Sequence, residues 1–175
     1  MRKIAIVLAV LSAFVTAFMG SASAGTIFYN IRVAHTNKCL DVDNTGGGIG
    51  NGRKVQQWTC LGKDQVNQIF VLDPVAGTDK VKIRSVYSNR CLDVFDLNPN
   101  NGADVVQWDC IAGAKNQEWT FLFDGAGHYQ IRSSLNQKCL DVDTVGGGTA
   151  NGTRVQMWTC LGNTQLNQRW NLVSI

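Results

Sequence analysis

Three segments of this chain carry the same small set of polar and aromatic residues. Each has an aspartate two residues after a cysteine, a tryptophan two residues before a second cysteine, and an Asn-Gln pair further on. A carboxylate accepts hydrogen bonds, a side-chain amide both donates and accepts them, and an indole presents a flat apolar face. The combination suits a ring-shaped ligand that has one apolar face and a rim of hydroxyl groups.

The first and third segments carry the complete set. Gln56 and Trp58 lie two residues apart in a predicted strand. Because successive side chains of a strand point to opposite faces, both should face one ligand. Gln68 could hold the Asp41 carboxylate in place. The predicted binding residues are Asp41, Gln56, Trp58, Asn67 and Gln68 in the first segment, and Asp141, Gln156, Trp158, Asn167 and Gln168 in the third.

The second segment departs from this pattern. Val106 stands where the other segments have a glutamine, and Phe95 stands where they have a second aspartate. The neighbouring Gln107 should point to the opposite face of its strand. We therefore expect a site that is weaker or altered in preference, formed by Asp93, Trp108, Asn116 and Gln117.

A structural interpretation of the same residues stays open. Each tryptophan could belong to the core, and each Asn-Gln pair could be a hydrogen-bonding device that every copy needs at a strand end. Repetition is compatible with both interpretations, because a structural element of a symmetric fold also recurs.

Metal binding and catalysis are disfavoured. The run from Asp41 begins like a calcium loop, but Gly52 occupies the place of the bidentate glutamate, and Gly152 does so in the third copy. Asp41 and Asp43 are spaced like the carboxylates of an inverting glycosidase. However, Glu118 is the only glutamate, and no histidine recurs at matching positions. We predict no cofactor, no metal site and no catalytic residue.

The first residues have the features of a secretory signal. Arg2 and Lys3 precede a short apolar run, and Ala22-Ser23-Ala24 forms a cleavage site. We expect residues 1–24 to be removed near Ala24, which gives a secreted chain. The remaining residues include 14 basic and 13 acidic side chains, which is too balanced for nucleic-acid binding. The apolar run is short for a helix that spans a membrane.

Secretion also bears on the cysteines. Six cysteines fall two to a copy at matching positions, and in an oxidising compartment they should form disulfides. Many pairings are possible, but internal symmetry favours one in which each copy closes its own loop. The expected pairs are Cys39 with Cys60, Cys91 with Cys110, and Cys139 with Cys160.

Hydrophobic alternation predicts strands throughout the chain. Each copy opens with a segment in which isoleucine alternates with arginine, the period of a half-buried strand. A C-L-D-V strand follows, then a Gly- and Asn-rich loop that ends in Asn-Gly, for which we expect a type I′ turn. Two more strands complete the copy, the first of them running from Val55 to Cys60 in copy one.

Three four-stranded copies restrict the architecture. They are too few for a propeller and a poor fit to a solenoid. The remaining architecture is an all-β trefoil with pseudo-three-fold symmetry, in which the repeats span about 25–74, 75–124 and 125–175.

The motifs resemble those of the ricin B-type lectin family and of the related trefoil carbohydrate-binding modules attached to xylanases. C-L-D-V, then V-Q-x-W-x-C, then N-Q-x-W recur with small edits across essentially the whole mature chain. The resemblance implies one shallow sugar pocket per repeat. The aspartate would bond sugar hydroxyls, an aromatic ring would stack on the pyranose, and Asn-Gln would add polar contacts. It also implies that the trailing aromatics Phe70, Trp119 and Trp170 belong to the core.

The resemblance implies a secreted lectin that binds glycans through several pockets without transforming them. Galactose or N-acetylgalactosamine is the family's commonest preference, and xylan or arabinan is the alternative. Two other classes stay open. One is a trefoil that acts as an inhibitor or as the protein-binding subunit of a secreted toxin or hydrolase system, and the other is a glycoside hydrolase.

Overall fold

The computed structural model describes residues 25–175, and the predicted signal sequence at 1–24 lies outside them. Twelve strands pair antiparallel, with six short 3-10 helices between them. The strands are β1 (Phe28–Val33), β2 (Cys39–Val42), β3 (Arg53–Trp58), β4 (Phe70–Pro74), β5 (Val81–Ser85), β6 (Cys91–Val94), β7 (Ala103–Trp108), β8 (Trp119–Phe123), β9 (Tyr129–Ser133), β10 (Cys139–Val142), β11 (Thr153–Trp158) and β12 (Trp170–Ser174). The 3-10 helices are Thr45–Gly47, Val66–Gln68, Phe95–Leu97, Lys115–Gln117, Val145–Gly147 and Leu166–Gln168.

Six of the strands close into a barrel. β1 pairs with β4 and β12, β5 with β4 and β8, and β9 with β8 and β12. The other six strands form the hairpins β2–β3, β6–β7 and β10–β11. Within these hairpins, β3, β7 and β11 pair with one another in a triangle. The arrangement is a β-trefoil, as the repeats predict.

The trailing aromatic of each repeat lies in the core. Trp119 and Trp170 are fully buried, and their indole N–H groups donate to the carbonyls of Leu92 (3.3 Å) and Leu140 (3.0 Å). Phe70, which has no polar atom to satisfy, is fully buried in the first repeat. The prediction that these rings belong to the core is confirmed. The alternating isoleucines join them there, at Ile31, Ile83 and Ile131.

Three disulfides close the repeats on themselves. Their Cα–Cα distances are 5.1, 5.1 and 5.0 Å. In the chain-entropy model, each loop of this size stabilises the folded state by about 3 kcal/mol. The pairing expected from internal symmetry is confirmed: Cys39–Cys60, Cys91–Cys110 and Cys139–Cys160.

The Asn-Gly pairs do not form the expected turn. A type I′ turn needs positive φ at both central residues, but only the glycine has it, with φ 82° at Gly52. The asparagine faces the next repeat, where Asn51 Oδ1 accepts the backbone N–H of Asp109 at 2.9 Å. The type I′ prediction is wrong because the dipeptide joins neighbouring repeats. The same bond joins Asn101 to Thr159 and Asn151 to Thr59.

This contact also shortens the third strand. The backbone N–H of Thr59 donates to the Asn151 side chain, so it is not available to a strand ladder. Strand β3 accordingly ends at Trp58, and the expected end at Cys60 is wrong.

A buried glutamine beside the site tryptophan forms a second link between repeats. Gln57 is fully buried, and its Nε2 donates to the carbonyls of Gly148 and Ala150 at 2.8 and 3.0 Å. Gln107 makes the matching pair of bonds from the second repeat to the first. The third repeat has the fully buried Met157 at this position. Two of the three repeat junctions therefore have a buried amide link.

Replacing the first of these amides should destabilise the fold. Gln57→Met removes the donor of the Ala150 carbonyl and one of two partners of the Gly148 carbonyl, which His35 Nε2 also contacts at 3.0 Å. We expect a loss of about 1–3 kcal/mol in the free energy of unfolding. Urea unfolding with the disulfides intact measures it. The matched control is Met157→Leu, a swap of similar volume. An equal shift in the unfolding midpoint for both variants would contradict the role of the amide.

Candidate functional site

Three side-chain amides converge on one carboxylate in the first repeat. Asp41 lies on β2 and is only 4% exposed. Gln56 Nε2 donates to Asp41 Oδ1 at 3.0 Å. Asn67 Nδ2 and Gln68 Nε2 donate to Oδ2 at 3.0 and 2.9 Å. Neutral donors therefore fix the orientation of the carboxylate, as the sequence suggested for Gln68.

The third repeat contains the same cluster. Gln156, Asn167 and Gln168 donate to the Asp141 carboxylate at 3.0, 2.9 and 2.9 Å. Gln156 Oε1 is buried, and residues 25–175 provide no donor for it. Buried acceptors are normally hydrogen-bonded, so this oxygen is an exception in the third repeat.

Each of these clusters forms one side of an open cleft. The clefts have volumes of about 280 Å³ in the first repeat and 350 Å³ in the third, a size that suits a small ligand. The first is lined by Asp41, Asp43, Asn44, Thr45, Gln56, Trp58, Leu61, Gln65 and Asn67. The third is lined by Asp141, Asp143, Thr144, Val145, Arg154, Gln156, Trp158, Leu161, Gln165 and Asn167.

The tryptophans of these clefts are surface residues. Trp58 is 36% exposed and Trp158 is 38% exposed, so the interpretation that places them in the core is wrong. A Cβ atom on Gly152 would lie 3.7 Å from the Trp58 ring. The indole of the first repeat therefore packs beside the Asn-Gly turn of the third repeat, although the residues that line the cleft belong to the first repeat.

The glutamine of each Asn-Gln pair lies behind the aspartate. Gln68 is fully buried, and beyond Asp41 its Nε2 donates to the carbonyl of Thr59 at 3.0 Å. Its Oε1 accepts the backbone N–H of Leu61 at 3.0 Å. These bonds occupy the amide, so the residue positions the aspartate and does not face the cleft. The same holds for the fully buried Gln117 and Gln168.

Sequence reasoning missed several residues that line the clefts, among them a glutamine in each. Gln65 lines the first cleft and donates to Asn67 Oδ1, and Gln165 lines the third. A signal was present, because a glutamine stands two residues before the asparagine in these two repeats and Ala114 stands there in the second.

The pKa values of the two aspartates of the first cleft are shifted in opposite directions. Burial raises the pKa of Asp41, and the amide hydrogen bonds only partly oppose this effect. The side-chain hydroxyl and backbone N–H of Thr45 donate to Asp43 and lower its pKa. The same directions hold in the third repeat for Asp141 and Asp143.

The second repeat lacks part of the polar cluster. Asp93 accepts hydrogen bonds from Asn116 and Gln117 at 2.9 and 2.8 Å. Val106 lies in register with Asp93 on the neighbouring strand and brings no third amide. Burial raises the pKa of Asp93, as in the other repeats.

The aromatic side of the second repeat also differs. The loop between its cysteines is shorter, with a separation of 19 residues rather than 21. The Phe95 ring lies 6.1 Å from that of Trp108 at an angle of 48°, and Trp108 is half-buried. Asp96 and Leu97 adopt φ of 55° and 52°, a left-handed conformation that costs roughly 1–2 kcal/mol per residue. The four predicted residues lie together, but in a different environment.

Residues 25–175 lack two further kinds of feature. They contain no group of three or more His, Cys, Asp and Glu side chains placed to hold a metal ion. In the same range, no helix has the length and apolar character needed to cross a membrane.

Comparison with known proteins decides the family. Residues 79–174 match the family model described as ricin-type beta-trefoil lectin domain, and residues 16–108 match one described as ricin-type beta-trefoil lectin domain-like. The chain belongs to the ricin-type β-trefoil lectin family. The family and the fold are of a carbohydrate-binding type and not a catalytic one.

Relatives of this lectin differ widely in total length. Human polypeptide N-acetylgalactosaminyltransferase 14 is 38% identical over 84 residues, which are 48% of this chain and 14% of the transferase. The lectin thus spans a small part of this relative. The designed three-fold symmetric protein ThreeFoil is 30% identical with a TM-score of 0.76, over 85% of this chain and 99% of ThreeFoil. The exo-beta-1,3-galactanase 1,3Gal43A from Clostridium thermocellum is 32% identical with a TM-score of 0.75, over 87% of this chain and 31% of the galactanase.

Acidification should weaken sugar binding by the lectin before it weakens the fold. Asp41 and Asp141, whose pKa values are raised, should gain protons at a higher pH than ordinary aspartates and lose acceptor capacity. Because their pKa is higher in the folded state, their protonation favours folding. Asp43 and Asp143 have lowered pKa values, so their stabilisation is lost only as the pH falls below the usual 3.8.

Sugar affinity and melting temperature, measured side by side from about pH 7 to about pH 3, test this order. Affinity should decline first. A melting temperature that falls in step with the affinity from the start would contradict the prediction.

Proposed function

We propose that this lectin binds galactose-type sugars through the clefts of its first and third repeats. One observation carries the proposal: each cleft combines an exposed tryptophan with a buried aspartate that three amides orient. A pyranose ring has a face of C–H groups and a rim of hydroxyl groups. It can therefore stack on the indole while its hydroxyls donate to the carboxylate.

The polar residues have distinct roles in this proposal. In the first cleft, Asp41 accepts sugar hydroxyls, and because its partners are amides, no cation neutralises its charge. Hydrogen bonds to an ionised acceptor are stronger than neutral ones. Gln56 and Asn67 line the cleft and add polar contacts.

Two relatives support galactose or N-acetylgalactosamine over xylan or arabinan. The human relative is named for the transfer of N-acetylgalactosamine, and the bacterial relative for the cleavage of galactan. Both are at least 30% identical to this chain over the matched region. The proposed ligand class is therefore a terminal galactoside.

Affinity for one sugar should be low. At roughly 0.3 kcal/mol per heavy atom, a monosaccharide of about a dozen atoms binds with a dissociation constant of about 1 mM. Several clefts on one chain raise the effective affinity for branched glycans. Because the clefts belong to different repeats of a three-fold fold, they engage separate branches. We place the lectin outside the cell, after removal of residues 1–24, where its disulfides are stable.

The double variant Trp58→Ala and Trp158→Ala tests the proposal. It removes the stacking surface of both clefts, and we expect galactoside binding to fall at least about tenfold. Both side chains are partly exposed, so the variant should keep the far-UV circular dichroism of the parent. Immobilised galactosides and calorimetry measure the binding.

Trp108→Ala is the matched control, since it truncates the equivalent residue of the altered second repeat. It should keep most of the galactoside binding. Undiminished binding by the double variant, or its unfolding, would refute the assignment. A parallel array of galactosides, xylan and arabinan fragments tests the sugar class, and binding to the plant fragments alone would replace the galactoside proposal.

A further inference from the structure

One position of the repeat holds an apolar residue in the first copy, an acidic residue in the second and a basic residue in the third. The residue just before the trailing aromatic is Ile69, Glu118 or Arg169, and each is almost completely buried. Ile69 is apolar and needs no partner. Glu118 forms ion pairs with Lys80 at 3.8 Å and Lys115 at 3.2 Å. Arg169 is the member of this set whose surroundings call for a ligand.

The bonds of Arg169 leave part of its guanidinium unsatisfied. Its Nη1 donates to the carbonyl of Gln168 at 3.3 Å, and its Nη2 donates to the carbonyl of Leu161 at 3.1 Å and to Asn163 Oδ1 at 2.9 Å. Its Nε is buried and has no hydrogen-bond partner among residues 25–175. The nearest carboxylate oxygen, Asp124 Oδ2, lies 3.7 Å away. Buried charged donors are normally hydrogen-bonded.

A second arginine lies in the same cleft. Arg132 on β9 donates from Nε to Gln130 Oε1 at 2.8 Å, and no described residue accepts from its terminal nitrogens. Desolvation lowers the pKa of Arg169, the Asp124 carboxylate opposes this shift, and the positive charge of Arg132 adds to it. Asp124 is also engaged by His128 Nδ1 at 3.4 Å and by the backbone N–H groups of Ala126 and His128. The one carboxylate beside Arg169 is therefore already occupied, and it forms no ion pair with Arg132.

These residues define a cleft of about 290 Å³, separate from the sugar clefts. Its polar lining residues are Asp124, Gln130, Arg132, Asn163 and Arg169. We propose that this anion cleft binds an oxyanion carried on a saccharide, a carboxylate or a sulfate ester, with Arg132 as the direct contact and Arg169 behind it. The planar fork of arginine matches both groups in a bidentate way.

The anion cleft and the sugar cleft of the third repeat lie on either side of Leu161. Leu161 lines that sugar cleft, and its carbonyl accepts the hydrogen bond from Arg169. An acidic residue of a glycan held at the third repeat could therefore reach the anion cleft. The saccharide part of the proposal rests on the proposed function, whereas the oxyanion part rests on the two arginines alone.

Arg132→Gln tests the proposal, with Arg32→Gln as the matched control. Arg32 occupies the equivalent place in the first repeat, but the neighbouring position there is the apolar Ile69 in place of Arg169. The probes are glucuronate, galactose 6-sulfate and neutral glucose, titrated by calorimetry and by NMR at low ionic strength. We expect Arg132→Gln to weaken binding of one or both acidic probes about tenfold. Arg32→Gln should leave it unchanged, and glucose should give no Arg132-dependent signal.

The outcomes separate this proposal from the sugar clefts. The acidic probe that responds identifies the source of the oxyanion, as a uronate or as a sulfated sugar. The Trp58→Ala and Trp158→Ala double variant should still bind it, even if galactoside binding is absent from the parent. Failure of both acidic probes to bind, equal losses in Arg132→Gln and Arg32→Gln, or loss of acidic-probe binding in the tryptophan variant would each overturn the anion cleft.

Discussion

The closure of the three repeats on one another is the constraint on which this structure depends. Each Asn-Gly turn donates a backbone hydrogen bond to the third strand of the next repeat, and the three bonds form a ring. The Trp58 indole also packs beside Gly152 of the third repeat, so the neighbouring repeat supports the tryptophan of the first cleft. The ring runs from Gly52 to Gln107 at 2.9 Å, from Gly102 to Met157 at 2.9 Å, and from Gly152 to Gln57 at 3.0 Å.

The buried aspartate shows how the closed fold serves binding. Its raised pKa means that the ionised form is less favourable in the folded chain than in the unfolded chain, so the carboxylate costs stability at neutral pH. The surrounding amides limit that cost without neutralising the charge. Arginine in place of an amide would stabilise the carboxylate further but would occupy the oxygens that a sugar hydroxyl needs. An ionised carboxylate that is buried and has no cationic partner therefore favours ligand binding at the expense of stability.

Much of the fold could be predicted from the sequence because the same motifs recur in three copies. Recurrence at fixed spacing identified the disulfides and the aspartate clusters, and the family resemblance identified the core aromatics. Recurrence could not reveal the role of Asn51, because a dipeptide typical of a hairpin turn here bonds to another repeat. The buried link from Gln57 to Gly148 spans 91 residues and has no local signal. The anion cleft could not be predicted from recurrence, because Arg169 has no basic counterpart in the other repeats.

The contrast between the repeated aspartate cluster and the variable position 169 shows where a repeat can gain a different binding group. Asp41, Asn67 and Gln68 satisfy one another within a repeat, so a change in one leaves a buried group unpaired, and all three repeats keep these residue types. Position 169 lies outside this cluster, and its partners can change together with it. For Arg169 the side-chain partners are Asn163 of the same repeat and Asp124 at the end of the second repeat. Leu161 contributes its side chain to the sugar cleft and its carbonyl to Arg169, so the variable position adjoins the repeated site. A glycan with neutral and acidic residues in sequence would use both.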